Sequence, residues 1–169
     1  MSLRPDLRVV IMGVSGCGKS SVGEGLAARL GIPYRDGDDL HPPANVEKMR
    51  QGIPLTHDDR WSWLDRLAEV LATEAPVIVG CSALRRTYRD RLLAGAGGPL
   101  RFVHLSGSRE LISGRIAART GHHMPTCLLV SQFAALEPPD PDEALSIDID
   151  QPLAALINAI VPHLQGGCP

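Results

Sequence analysis

Apolar residues recur in two rhythms along this chain. One is short, dense and β-branched. The other repeats every three to four residues. Residues 8–12 (RVVIM) form the first dense run and predict a buried strand. Residues 13–18 break it with glycine. Residues 19–30 predict a helix with Val22, Leu26 and Leu30 on one face and Gly31 as its C-terminal cap. Residues 32–35 predict a second strand. Thr56 and Asp59 have capping-box spacing, and Trp61, Leu64, Leu67, Ala68 and Leu71 make the apolar stripe of the helix that follows. Pro76 ends that unit. Residues 77–79, 100–105 and 145–149 predict three more strands. Residues 85–93, 108–119 and 126–136 predict helices between them, the first of them basic. Residues 121–125 are a break, and 137–143, with three prolines and four acids, predict a solvated loop. Leu153, Leu156, Ile157, Ile160, Val161 and Leu164 mark a last helix, whose end Pro162 should disturb. Five short strands alternating with helices predict a parallel sheet covered on both faces. Ligands bind at the strand ends of such sheets.

Composition narrows the function classes. The 169 residues are 44% hydrophobic and 21% charged, which fits one globular domain over 1–169 and excludes disorder as the main state. The net charge of −2 gives no bulk grip on nucleic acid, and 4% aromatics leaves few stacking platforms for single strands. No apolar run approaches a membrane span. The first ten residues lack the apolar core and cleavage site of a signal peptide, so a cytoplasmic location is expected. The four cysteines have no paired spacing and read as free thiols.

The segment 13–20 (GVSGCGKS) fits G-x-x-x-x-G-K-[ST] in full, between a predicted strand and a predicted helix. Glycines let backbone N–H groups turn onto phosphates, and the helix N-terminus adds positive potential. Lys19 should reach the β- and γ-phosphates and Ser20 should ligate Mg²⁺. The motif and the order of elements predict an α/β, three-layer P-loop NTPase fold. Its five-stranded parallel sheet is flanked by helices, with a small lid over about residues 119–127. Cys17 reads as a small loop filler, with a redox switch as the alternative.

The second strand runs into Asp36-Gly37-Asp38-Asp39-Leu40-His41-Pro42. Two carboxylates at i and i+2 can face one cleft, one holding a metal-bound water and the other deprotonating an acceptor hydroxyl. A polar Asp-Gly turn is the alternative. His41 could bind a polyol or be an ordinary loop histidine. Arginines follow at Arg60, Arg85, Arg86, Arg89 and Arg91. They suit an anionic acceptor or, for Arg91 above all, a solvated helix face. Arg115 and Arg119 share a helix face and read as lid arginines closing over ATP, or as two exposed arginines. His122, His123 and Cys127 lack a fourth partner for zinc.

These residues resemble bacterial gluconokinases of the small P-loop type, relatives of shikimate kinase. The resemblance covers nearly the whole chain. It rests on GVSGCGKS, DGDDLHP (36–42), NVEKM (45–49), G-x-PL-x-x-DDR (52–60), CSALRRTYRD (81–90), GHHMP (121–125), L-x-SQF-x-x-LE-P (129–138) and DIDQPL (148–153). It implies transfer of the ATP γ-phosphate to the 6-hydroxyl of D-gluconate, with Mg²⁺ and a homodimer. Gly13, Ser15, Gly16, Cys17, Gly18, Lys19, Ser20 and Ser21 would serve the nucleotide, with Arg115 and Arg119 over it and Gln151 and Pro152 near adenine. Ser20 and Asp36 would hold the metal. Lys19, Asp38 and Arg119 would be catalytic. Asp38 would orient the acceptor hydroxyl and Arg60 would pair with the substrate carboxylate, with His41, Ser82 and Arg89 as weaker contacts. Three departures stand out: Cys17 in place of a serine, His57 where an acid is usual, and His123 where an aromatic is common. A kinase for another small acceptor, such as shikimate or a nucleoside monophosphate, and a nucleotide sensor without catalysis are the alternatives.

Overall fold

The computed structural model describes residues 4–119 and 126–166. The expected lid motif GHHMP, with His122 and His123, lies outside the described residues, as do the side chain of Cys127 and residue Cys168. The elements run β1 (Arg8–Met12), α1 (Lys19–Leu30), β2 (Tyr34–Asp36), a 3-10 turn (Gly37–Leu40), α2 (Pro43–Arg50) and α3 (His57–Thr73). They continue with β3 (Val77–Gly80), α4 (Arg86–Gly95), β4 (Arg101–Ser106), α5 (Arg109–Ala118), α6 (Thr126–Ala135), β5 (Ala144–Asp148) and α7 (Leu153–Gln165).

All five strands are parallel, in the order β2-β3-β1-β4-β5. Successive side chains of β1 point to opposite faces, and both faces are covered. Val9 and Ile11 pack with Val22, Leu26, Ile112 and Ile160 on one side. Val10 and Met12 pack with Trp63, Leu64, Leu67, Leu71 and Leu92 on the other. Burying each such side chain contributes about 1.5–3 kcal/mol. Strand order reverses at β1, so the loop that leaves β1 opens into the crevice where such sheets take ligands.

The capping box forms as predicted: Thr56 Oγ1 accepts from Asp59 N, and Asp59 Oδ2 accepts from Thr56 N. Four expectations shift. The strand placed at 32–35 is Tyr34–Asp36, because Gly31 N and Ile32 N both donate to Ala27 O and finish α1 first. The helix α2 was not anticipated, since its exposed Val46 and Met49 give no core-facing stripe. Helix α7 runs three residues past Pro162, because Arg101 donates to the His163 and Gly166 carbonyls and ties the last turn to β4. The acidic loop 137–143 is more than a solvated link, as the site shows.

Candidate active site

The loop between β1 and α1 is the floor of a cavity of about 400 Å³. Its lining runs from Ser15, Gly16, Gly18, Lys19, Ser20 and Ser21 to Tyr34, Asp36, Asp38 and Gly80, and on to Ile116, Arg119 and Leu128. Gly18 caps α1 with φ of +100°, a region that L side chains rarely adopt, and a Cβ there would meet nothing within 4 Å. The backbone demands the glycine, and the space beside it is left to a ligand. Lys19 Nζ is held over the loop by the carbonyls of Gly13 and Val14, each at 3.0 Å. The N-terminus of α1 points into the same space, so the cavity floor favours phosphate. Gly13 N in turn donates to Ser82 O, which props the loop from behind. Cys17 is buried below the loop, and burial pushes its thiol up, which suits a filler better than a reactive thiolate.

The acidic wall comes from β2 and the turn after it. Asp36 Oδ1 accepts from Asp38 N, which bends the chain so that both carboxyls face the cavity. Gly37 lies so close to β3 that a Cβ would run into the Gly80 carbonyl oxygen. Trp63 Nε1 donates to Gly37 O at 2.8 Å and fixes the turn from α3. Asp38 is pushed up from the ordinary carboxylate value, first by partial burial and then by the charge of Asp36, against the pull of Lys19. A carboxylate raised in this way is a better proton acceptor.

The residues also fit a hard divalent cation. Ser20 Oγ lies 3.4 Å from Asp36 Oδ2, a hydroxyl and a carboxylate side by side next to the phosphate loop. Among the described residues no group of three or more His, Cys, Asp or Glu is placed to hold a metal ion by itself. That suits Mg²⁺, which keeps waters and phosphate oxygens and needs few protein ligands.

A polar cluster is built by α2, α3 and α4. Asn45, 2% exposed, donates from Nδ2 to Asp59 O and to His41 Nδ1. A carbonyl only accepts, so this bond also fixes which way the amide faces. His41, 8% exposed, stacks on Trp63 at 4.2 Å. Burial, helped by Arg60, pushes His41 down to about 4, so it is neutral at neutral pH. Lys48 pairs with Asp59 at 2.7 Å and, with Thr56, holds that carboxyl down to about 2. Arg60 is half-buried and donates to Tyr88 Oη at 3.2 Å. Arg60, His41 and Ser82 do not line the cavity.

Arg89 is a correction. It is 1% exposed, and its guanidinium donates to the carboxylate of Glu143 and to the carbonyls of Ala83, Leu84 and Glu137. It stitches the acidic loop to the chain after β3, and it does not line the cavity. Arg115 and Arg119 also part company. Helix α5 stops at Ala118, and Arg119 turns to an extended conformation and lines the cavity. Arg115 instead donates to Ile149 O at 2.6 Å, in the loop that carries Gln151 and Pro152. Gln151 bonds Asp148 O and Pro152 caps α7; neither lines the cavity.

Several supports escaped the sequence reading. Gln132, on α6, accepts from Ser15 N at 2.6 Å and donates to Ser15 Oγ, clasping the phosphate loop. It stands in the SQF motif, which gave a signal without a role. Asn45 and Lys48 likewise stand in NVEKM. Tyr34 had no signal: its buried hydroxyl lacks a partner among the described residues, and burial pushes it up to about 12.

Comparison with known proteins agrees with this geometry. A family model described as an AAA domain matches residues 9–139. The gluconokinase of Gluconobacter oxydans is 43% identical over 98% of this chain and 94% of its own length. The thermoresistant gluconokinase of Escherichia coli is 42% identical over 94% of this chain and 93% of its own. A solved gluconokinase from Sinorhizobium meliloti superposes with a TM-score of 0.88 at 49% identity, covering 95% of this chain and 93% of that one. With a phosphate loop, a paired-carboxylate turn and this degree of likeness along its length, the chain belongs to the gluconokinase family.

Proposed function

We propose that the chain transfers the γ-phosphoryl group of ATP to the 6-hydroxyl of D-gluconate, giving ADP and 6-phospho-D-gluconate. One observation carries the reading: Lys19, Ser20, Asp36, Asp38 and Arg119 share one cavity at the mouth of the parallel sheet. Asp38 accepts the proton of the 6-hydroxyl as that oxygen bonds to the γ-phosphorus and the bond to the bridging oxygen of ADP breaks. Lys19 and Arg119 offset the charge that spreads over the transferring group. Ser20 and Asp36 would hold Mg²⁺, which supplies charge neutralisation between the phosphates. Arg60 would pair with the carboxylate at the far end of gluconate. The bonds from Asp38 N to Asp36 and from Trp63 to Gly37 O fix the backbone of this turn, which supports a base placed before the substrate binds.

The resemblance also supports a homodimer working in the cytoplasm, and no described helix is long and apolar enough to cross a membrane. Light scattering behind size exclusion tests the dimer. The reaction itself is tested by incubating the protein with ATP, Mg²⁺ and D-gluconate and locating the new phosphate by NMR. Phosphorus coupled to the C6 protons is the expected result. Phosphate elsewhere on the sugar acid, or free phosphate alone, would contradict it.

A further inference from the structure

Arg60 does not point freely. Its Nη1 lies 3.2 Å from Tyr88 Oη, and Tyr88 Oη lies 2.9 Å from His57 Nδ1. A guanidinium has donors only, so the Tyr88 oxygen must accept from Arg60. The hydroxyl proton then needs an acceptor of its own, and His57 Nδ1 is in place. In the tautomer that leaves Nδ1 unprotonated, that nitrogen accepts it. The result is a one-way chain of hydrogen bonds from Arg60 through Tyr88 to His57. It leaves the first turn of α3, crosses to α4 and returns.

Packing fixes the middle of the chain. Tyr88 is 5% exposed, with its ring edge-on to Trp61 at 5.5 Å and tilted against His57 at 5.8 Å. The Arg60 guanidinium sits 5.7 Å from the Tyr88 ring centroid. The direction of the Tyr88 lone pair is thus set by where its proton goes, and position 57 decides that. A histidine accepts this proton without a negative charge. A carboxylate there would accept it too, but would compete for Arg60 with an anionic substrate.

We propose that His57 is a positioning residue for the acceptor: through Tyr88 it sets how Arg60 presents its remaining N–H donors to the substrate carboxylate. This rests on the reading of Arg60 given above.

The test is steady-state kinetics on the full chain, with gluconate and ATP varied separately. His57→Ala and Tyr88→Phe should each raise the KM for gluconate about 3- to 10-fold, the size of one hydrogen bond. Their double variant should be no worse than either alone, because both cut one chain. Throughout, kcat and the KM for ATP should stay within about twofold. Asn places an oxygen near the position of Nδ1, so His57→Asn should bring the gluconate KM back, while His57→Asp should raise it. His57 is exposed, so its variants give a reading even where Tyr88→Phe folds poorly. Arg60→Ala separates the two claims. If it raises the gluconate KM and the other variants do not, the positioning role is wrong and the Arg60 reading stands. If it leaves that KM unchanged, both fall. A parallel rise in both KM values, or no restoration by His57→Asn, marks a packing role and overturns the proposal.

Discussion

A carboxylate that must take a proton from an alcohol works better the more basic it is, and burying it beside another acid makes it so. Asp38 meets that condition through its surroundings and the charge of Asp36. Asp38→Asn should cut kcat by about 10²- to 10⁴-fold while leaving ATP binding intact, as read by calorimetry beside turnover. The sign for stability is opposite. A carboxyl raised above its unfolded value contributes most when protonated and loses that share as pH climbs through its folded value. The neutral amide should therefore melt at or above the wild type at pH 7, and a lower melting temperature would count against this account of the site. The acid side of the pH–rate profile should fall at a higher pH than an ordinary carboxylate gives. His41 runs the other way. Unfolded, it takes up a proton near 6.5; folded, only near about 4. Its share of stability is full above pH 6.5 and is lost as pH falls towards 4. The advantage of wild type over His41→Gln in urea unfolding should shrink between pH 7 and 4.5. Lys19, Ser20, Asp36 and Asp38 were legible in the sequence because their spacing is the chemistry. Tyr34 and Trp63 were not, since a buried hydroxyl or indole N–H signals nothing until its partner from another element is in place, and Asn45 stood in a motif without a role for the same reason.

Elements set where these groups stand. The strands and α1, α3 and α7 were readable because dense apolar runs mark strands buried on both faces and a 3.6-residue apolar period marks helices that face the sheet. Helix α2 was not, because it is held by polar groups, Asn45 and Lys48 on the start of α3, and has an exposed apolar side. The same blindness put Arg89 in the substrate set: the run CSALRRTYRD says where the arginines are and not which way they turn. The buried guanidinium makes a sharp prediction. Arg89→Ala strands the Glu143 carboxylate and three carbonyls, a loss of about 3–5 kcal/mol. For a chain of this size that lowers the melting temperature on the order of 10 °C. A selective rise in gluconate KM with unchanged melting would restore Arg89 to the substrate site. Trp63→Phe probes the tie between α3 and the acidic turn. Losing the bond to Gly37 O should lower kcat severalfold with little change in the KM for ATP, since the phosphate loop is held elsewhere.

At the scale of the molecule, one topological fact arranges the rest. The strand order reverses at β1, so the phosphate loop, the Asp36–Asp38 turn and the end of β3 meet at the carboxyl end of the sheet. The order of strands could not be read from the chain, because any alternating pattern permits several. The fold alone leaves the acceptor open, since P-loop kinases share it and choose acceptors with side chains, the role proposed here for Arg60. The direct test is ADP release from ATP and Mg²⁺ with D-gluconate, beside shikimate, glucose and AMP at equal concentration. Rapid release with gluconate, and background release with the other three, is the predicted result. Release with shikimate, glucose or AMP in place of gluconate, or with none of the four, would contradict the account.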